Sequence, residues 1–413
     1  MHDTIIIGAG PAGLATASSL SSQGMTDFVL IERGKPLAAR QRERTQDISS
    51  GVGGAGLYSD GKFSFFPSAT WLWKNLSAEH LQHSYEWLQS VLKQYNVTAP
   101  DFNNRTTVSP IIDERFKAYP SFYIDFNNRF EMINQWSQDF SRNTLTNTMV
   151  VDFSKQKNIY CVKTNNETIF AKNIVIATGR MGPLQFLTFT LPLKQLFQRI
   201  EVGVRLKGVY THPFFKELQQ YGQCLDPKFI LTHPEHPAVS WRTFCFCHRG
   251  EIMNSGDEEY VALSGRADCA ATNESNIGFN TRIKIPSLRH LLPKSSKSFT
   301  LNLAEVYENE RLLEHYFNPF IARYIALGLT ELKQHFPSLE NANALEIVGP
   351  TLEGVGDYPV VDNQLKTNHQ GIYVAGDSLG LFRGLTAALL SGHYIGQQIM
   401  ANSHYDEMSA VNL

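Results

Sequence analysis

Three glycines, Gly8, Gly10 and Gly13, are spaced as G-x-G-x-x-G. They fall between an apolar, β-branched run at residues 4–7 and an Ala-, Ser- and Leu-rich stretch at 14–23. A strand before and a helix after are the context in which this spacing binds a phosphate. The first glycine permits the tight turn, the second lets the backbone approach a pyrophosphate, and the third lets helix and strand pack closely. Pro11 and Ala12 open the helix, whose N-terminus offers unpaired N–H groups and partial positive charge. Glu32 closes the next apolar run, residues 28–31. Its carboxylate suits ribose hydroxyls and would repel a 2′-phosphate. The chemistry expected is dinucleotide binding.

Other groupings are weaker. Cys245-Phe246-Cys247-His248 has metal and redox residue types but no second paired cluster, so a zinc site is not expected. Cysteines alternating in a β run read as small core residues, with a lesser reading as lining of a substrate pocket. His233-Pro234-Glu235-His236 carries a proline that breaks the helix a zincin needs. No G-x-S-x-G elbow occurs, which excludes the commonest hydrolase signature. Arg205, Arg242, Arg266 and Arg383 could each clamp a substrate carboxylate or form an ion pair.

These residues need a framework. Residues 1–31 read as a strand, turn, helix and strand, a βαβ unit. Residues 40–61 form a polar, glycine-dense loop too long for a simple connection. Helical spacing covers 69–95, a further helix is expected at 128–140, and residues 149–176 read as a β-meander. Strands follow at 202–209, 229–232, 240–247, 260–264 and 279–285, then helices near 303–315 and 319–336. A buried strand at 371–376 and a helix at 385–400 close the chain. At 413 residues two domains are expected. The fold class is α/β: a Rossmann-like domain with a parallel sheet and β-meander, interrupted by an inserted α+β substrate domain. The nucleotide domain is assigned 1–100, 143–185 and 346–413, and the cap 101–142 and 186–345.

The formal net charge of −2 supplies no bulk field for nucleic acid or an anionic membrane. Five scattered cysteines suit a reducing compartment. No apolar run reaches the roughly 20 residues of a membrane span, and no leader pattern precedes the first strand. A cytoplasmic location is expected.

Two later segments resemble two-domain FAD flavoproteins. Ile174-Val175-Ile176-Ala177-Thr178-Gly179 is similar to the strand and small-residue turn that those proteins place beside the nucleotide. Ile372-Tyr373-Val374-Ala375-Gly376-Asp377 is similar to their C-terminal strand ending in Gly-Asp, whose aspartate reaches the ribityl or pyrophosphate region. The resemblance implies that the dinucleotide is FAD, bound non-covalently, and that Asp377 inherits that role. The helix from Leu385 would then face the flavin N1–C2=O edge and stabilise negative charge there. Ala387, Ala388, Gly392 and Gly396 would equally serve close helix packing.

Residues 51–62, Gly-Val-Gly-Gly-Ala-Gly-Leu-Tyr-Ser-Asp-Gly-Lys, resemble the loop of the poorly characterised FAD-dependent dehydrogenases with a GGAG-x-x-SDGK motif. Gly203-Val204-Arg205, residues 242–247, Gly265-Arg266 and residues 273–276 resemble that group too. The chain lacks the cysteine-bearing insert of many relatives and has His248-Arg249-Gly250 where they continue Pro-Gly-Gly. The cofactor contacts so implied are Gly8, Gly10, Pro11, Ala12, Gly13, Glu32, Arg33, Arg40, Gly53 and Gly54. Ala55, Ser59, Val151, Thr178, Gly179, Gly376, Asp377, Gly384, Leu385 and Thr386 complete them. Tyr58, Lys62, Arg242 and Arg383 are the candidate catalytic residues, and no metal is expected.

The function expected is an FAD-dependent oxidoreductase, a dehydrogenase or oxidase passing hydride to flavin N5 from a small organic substrate held between the flavin and the inserted domain. An FAD-dependent monooxygenase or NAD(P)H-fed reductase is the alternative. No second G-x-G-x-x-G provides a nicotinamide domain. A non-catalytic FAD redox sensor or scaffold is the alternative of another class.

Overall fold

Short runs of Ile, Val and Leu, buried on both faces, build the sheet that carries the glycine turn. The computed structural model describes residues 1–103, 116–117, 119–220, 228–257, 259–293 and 297–411. Cys224 and residues 104–115 and 118 of the expected cap lie outside them. Two units form: residues 1–107, 122–196 and 358–413, and residues 108–121 and 197–357.

In the first unit, strand His2–Ile7 lies between Phe28–Ile31 and Thr168–Ile176, parallel to both. Thr144–Leu145 extends one edge beside Phe28–Ile31, and Ile372–Val374 pairs with the far end of Thr168–Ile176, again in parallel. In chain order this is 3-2-1-4-5, the Rossmann-like order with its switch point at the first strand. The near end of Thr168–Ile176 pairs antiparallel with Ile159–Thr164, which pairs with Val150–Gln156. One strand therefore serves both the meander and the parallel sheet. Fold class agrees with the α/β expectation.

Helices Pro11–Ser22 and Leu385–Val411 pack at very close range. A Cβ at Gly392 would overlap the carbonyl oxygen of Ala12, and one at Gly396 would meet Ser19. Thr16 Oγ1 donates to the Gly392 carbonyl at 3.0 Å. Close packing is thus an established task of these glycines.

The second unit has a seven-stranded sheet ordered Phe299–Asn302, Leu345–Pro359, Gln195–Val209, Glu274–Ile283, Val239–Cys247, Lys228–Thr232 and Phe116–Lys117. Helix Pro319–His335 is fixed to it by Trp241, whose Nε1 donates to the Tyr324 carbonyl at 2.7 Å while its ring fills the space beside Gly328.

Three boundaries differ from those expected. Helix Phe126–Asp139 falls in the first unit, because its buried Arg129 is bonded to loop carbonyls there. The chain returns to the first unit at Tyr358 rather than 346, since strand Leu345–Pro359 lies in the second as far as Asp357. The helical stretch at 69–95 is two helices, Thr70–Asn75 and Ala78–Lys93, because Leu76 adopts extended geometry and Ser77 starts the second.

Candidate functional site

Ile31, Ile7, Ile176 and Val374 stand in one row across four adjacent parallel strands. Whatever follows each of them emerges at the same edge: Glu32, the Gly8 turn, Ala177-Thr178 and Ala375-Gly376. Carboxyl ends of parallel strands at a switch point are where open α/β sheets bind ligands.

The three glycines of the turn differ in what constrains them. A Cβ at Gly8, whose φ is +106°, would sit 2.5 Å from the Ala177 carbonyl oxygen, and one at Gly13 would overlap that of Gly8. Both are demanded by the protein itself. At Gly10 a Cβ would meet nothing closer than Gly54 Cα at 3.8 Å. Contacts within the chain do not demand a glycine there. Pro11 occupies the first turn of the helix beyond, where its missing N–H costs nothing.

The glycine loop lies against this turn. The Gly53 N–H donates to the Ala9 carbonyl at 2.8 Å. Glu32, 5% exposed, accepts the Ala9 N–H on Oε2 at 2.9 Å, and on Oε1 the N–H groups of Gly34 and Gly51 at 2.8 and 2.9 Å. A carboxylate offers about four acceptor positions, and these three bonds leave one of them on Oε2. Arg33 beside it is exposed.

Two buried arginines grip the loop from behind. Arg40 donates to the carbonyls of Asp47 (2.5 Å), Val52 (2.6 Å) and Gly54 (3.0 Å), and its guanidinium lies 4.8 Å from the Tyr58 ring centroid. Burial lowers its pKa from the ordinary value, with Tyr58, Glu32 and Asp47 opposing. Arg40, expected at the cofactor, has all three guanidinium nitrogens bonded to carbonyls instead. It shapes the loop. Arg129 does the same through Leu57 and Ser59, the latter at 2.8 Å.

Among the catalytic candidates, Tyr58 is buried, stacked on Phe126 at 5.8 Å, and burial raises its phenol pKa. That is a packing position. Lys62 is half-buried at the start of strand Lys62–Ser64. Ser59 Oγ turns back to the Gly56 carbonyl at 2.8 Å, and Ala55 is exposed. Arg383 donates from Nε and Nη2 to Asp377 Oδ2 at 3.2 and 3.1 Å. Arg242 belongs to the second unit, where Arg199, Arg242 and Arg282 converge on the wholly buried Glu201. Neither arginine is an isolated substrate clamp.

At the far side of the row, Thr178 Oγ1 and Ser378 Oγ are 3.2 Å apart, and the Gly376 N–H donates to Ser391 Oγ at 3.0 Å. A Cβ at Gly179 or Gly384 would meet nothing within 4 Å. Helix Leu385–Val411 follows Gly384, its first N–H groups unpaired within the helix. Thr386 is 2% exposed, yet its hydroxyl has no hydrogen-bond partner among the described residues. Val151 is exposed in strand Val150–Gln156, whereas Thr148 donates its N–H to the Glu32 carbonyl at 2.9 Å.

Arg129, Thr148, Ser378 and Ser391 were not anticipated. Arg129 had a visible signal: it lies three, four and seven residues before the buried Met132, Ile133 and Trp136, on the apolar stripe of its helix. Among the described residues no group of three or more His, Cys, Asp or Glu is placed to hold a metal, and no helix is long and apolar enough to cross a membrane.

No protein-family model and no curated protein matches the chain. Solved structures do. A putative FAD-containing monooxygenase from Photorhabdus luminescens is similar at 11% identity and a TM-score of 0.44, over 98% of this chain and 89% of that one. A geranylgeranyl bacteriochlorophyll reductase-like protein from Thermoplasma acidophilum is similar at 11% identity and 0.43, over 98% and 79%. A salicylate hydroxylase substrate complex is similar at 11% and 0.42, over 96% and 79%.

Proposed function

We propose that the first unit binds FAD non-covalently and that the protein is an FAD-dependent oxidoreductase, a dehydrogenase or oxidase taking hydride from a small organic substrate. The observation carrying this reading is the row Ile31, Ile7, Ile176 and Val374, which gathers three sequence-distant turns at one edge. A nicotinamide dinucleotide would use the first turn and Glu32 but has no need of the closing segment. The residues present fit the larger cofactor. Gly10 is open toward a pyrophosphate, and the orphaned Thr386 hydroxyl at a helix N-terminus fits a polar ring edge.

On this reading the N-terminus of Pro11–Ser22 holds the pyrophosphate, and Glu32 Oε2 takes a ribose hydroxyl. The N-terminus of Leu385–Val411 and Thr386 hold the ring and favour negative charge on its pyrimidine side. Bound FAD would supply the hydride acceptor; the chain supplies orientation and electrostatics.

The test is the visible spectrum of purified protein after incubation with FAD, followed by an anaerobic screen for compounds that bleach it. Bleaching by an organic substrate without NAD(P)H supports a dehydrogenase or oxidase. Bleaching by NAD(P)H alone, with labelled dioxygen appearing in the product, would replace that reading with a monooxygenase. A protein that takes up no FAD overturns both.

A further inference from the structure

Arg205 is an anomaly of the second unit. Its side chain is wholly buried in strand Gln195–Val209, and among the described residues no carboxylate pairs with it. Nε donates to Asn276 Oδ1 at 2.8 Å, Nη2 donates to the Cys245 carbonyl at 2.7 Å, and Nη1 has no hydrogen-bond partner among the described residues. Burying a cation is costly without a counter-charge. Among the described residues, one atom beside it that can become an anion is Cys247 Sγ, 3.9 Å from Nη2.

That sulfur has a neighbour. Cys245 Sγ is 3.7 Å away. In a regular strand residues two apart share a face but are held apart by the strand rise. Here the ladder shifts between Phe244 and Cys247, and Cys245 adopts a left-handed φ of +50°. A non-glycine residue in that region is uncommon and carries strain. The surroundings are pared to admit the group. A Cβ at Gly265 would collide with both Arg205 Nη2 and Cys247 Sγ, and one at Gly250 would press on Cys247 Cβ at 2.8 Å. Cys245 is half-buried, while Cys247 is fully buried.

We propose that Cys245 and Cys247 form a redox-active dithiol that reduces small disulfides, with Cys245 attacking and Cys247, held as thiolate by Arg205, resolving. Cys245 loses its proton to solvent, and its sulfur attacks one sulfur of the small disulfide. A mixed disulfide on Cys245 forms and the first thiolate leaves. Cys247 then attacks Cys245 Sγ, closing the internal disulfide and expelling the second thiolate; both leaving thiolates take protons from solvent. Two protein thiols are oxidised to one disulfide, and the small disulfide is reduced to two thiols. Thiolate stabilisation by a guanidinium is what makes the second attack fast at neutral pH.

The folded, full-length protein is exposed to glutathione disulfide, quenched with an alkylating reagent and mapped by peptide mass spectrometry. The expected product is a Cys245–Cys247 cross-link in the folded chain. Cys247→Ser should accumulate a glutathione adduct on Cys245, and Cys245→Ser should give neither adduct nor cross-link at this pair. Arg205→Met should slow resolution at least tenfold, so that the Cys245 adduct persists, and Arg205→Lys should restore it in part. Should the methionine variant fail to fold, the Cys247→Ser adduct decides alone. A wild-type protein whose pair is oxidised only after unfolding, or an adduct in Cys247→Ser on another cysteine, overturns the proposal.

Discussion

The backbone N–H of Gly51 donates to Oε1 of Glu32 at 2.9 Å. A residue expected to serve the cofactor thereby also ties together the first turn, the end of the second strand and the glycine loop. Glu32→Gln would present an amide N–H₂ to donors that need an acceptor. An unsatisfied buried donor costs about 1–3 kcal/mol. Urea denaturation of FAD-free protein should show a loss of about that size, and the variant should also retain less FAD. If only the ribose used Glu32, the FAD-free stability would be unchanged.

The unequal surroundings of the turn glycines separate folding from binding. Gly13→Ala should prevent the turn from forming, since the new Cβ overlaps the Gly8 carbonyl. Gly10→Ala should leave the FAD-free melting temperature near wild type. Its FAD affinity should fall at least tenfold, about 1.4 kcal/mol, measured by flavin fluorescence titration. A matching loss of stability in Gly10→Ala would place the constraint in the protein rather than in the ligand.

Arg40 is a loop staple. Arg40→Met strips donors from the carbonyls of Asp47, Val52 and Gly54. A loss of about 3 kcal/mol or more is expected from hydrogen bonds to a charged donor. Arg40→Lys should recover less than half, because an ammonium cannot reproduce the planar fork. Thermal melts of FAD-free protein check both, and a lysine variant equal to wild type would contradict the geometry.

His393, on the closing helix, is stacked on Trp87 at 4.4 Å, and its Nδ1 lies 3.2 Å from both Ser84 Oγ and Gln397 Nε2. Burial, aided by His83, pushes its pKa from 6.5 down to about 4. The unfolded chain therefore binds more protons between these values, so stability rises with pH through the window from about 4 to 6.5 and is flat above it. At 1.36 kcal/mol per unit, the contribution lost on acidification approaches about 3 kcal/mol. Urea melts at pH 4.5 and 7.5 should show this difference shrinking in His393→Gln.

Much of the first unit is legible in the chain, because its contacts follow local pattern. Residues 4–7 and 28–31 are strands by composition, Gly8 to Gly13 form the turn they spell, and the meander alternates as expected. Leu345–Pro359 escaped notice because Pro350 and three glycines make a strand read as a loop. Glu32 stands out in the sequence by its place after the second strand, but its bond to Gly51 spans 19 residues and no local rule reports it. Arg40 and Tyr58 have the residue types of chemistry and the burial of structure. Sequence shows the first and hides the second.

The bond between Thr16 and Gly392 crosses 376 residues. Ribosomes add roughly 5–20 residues per second, so about 20 to 75 s separate the emergence of its two ends. For that interval the nucleotide turn waits without the helix that backs it, and the whole second unit is synthesised meanwhile. The backing of the turn is consequently completed only after the whole second unit has been made, and a nascent chain stopped short of Gly392 would hold a turn with nothing behind it.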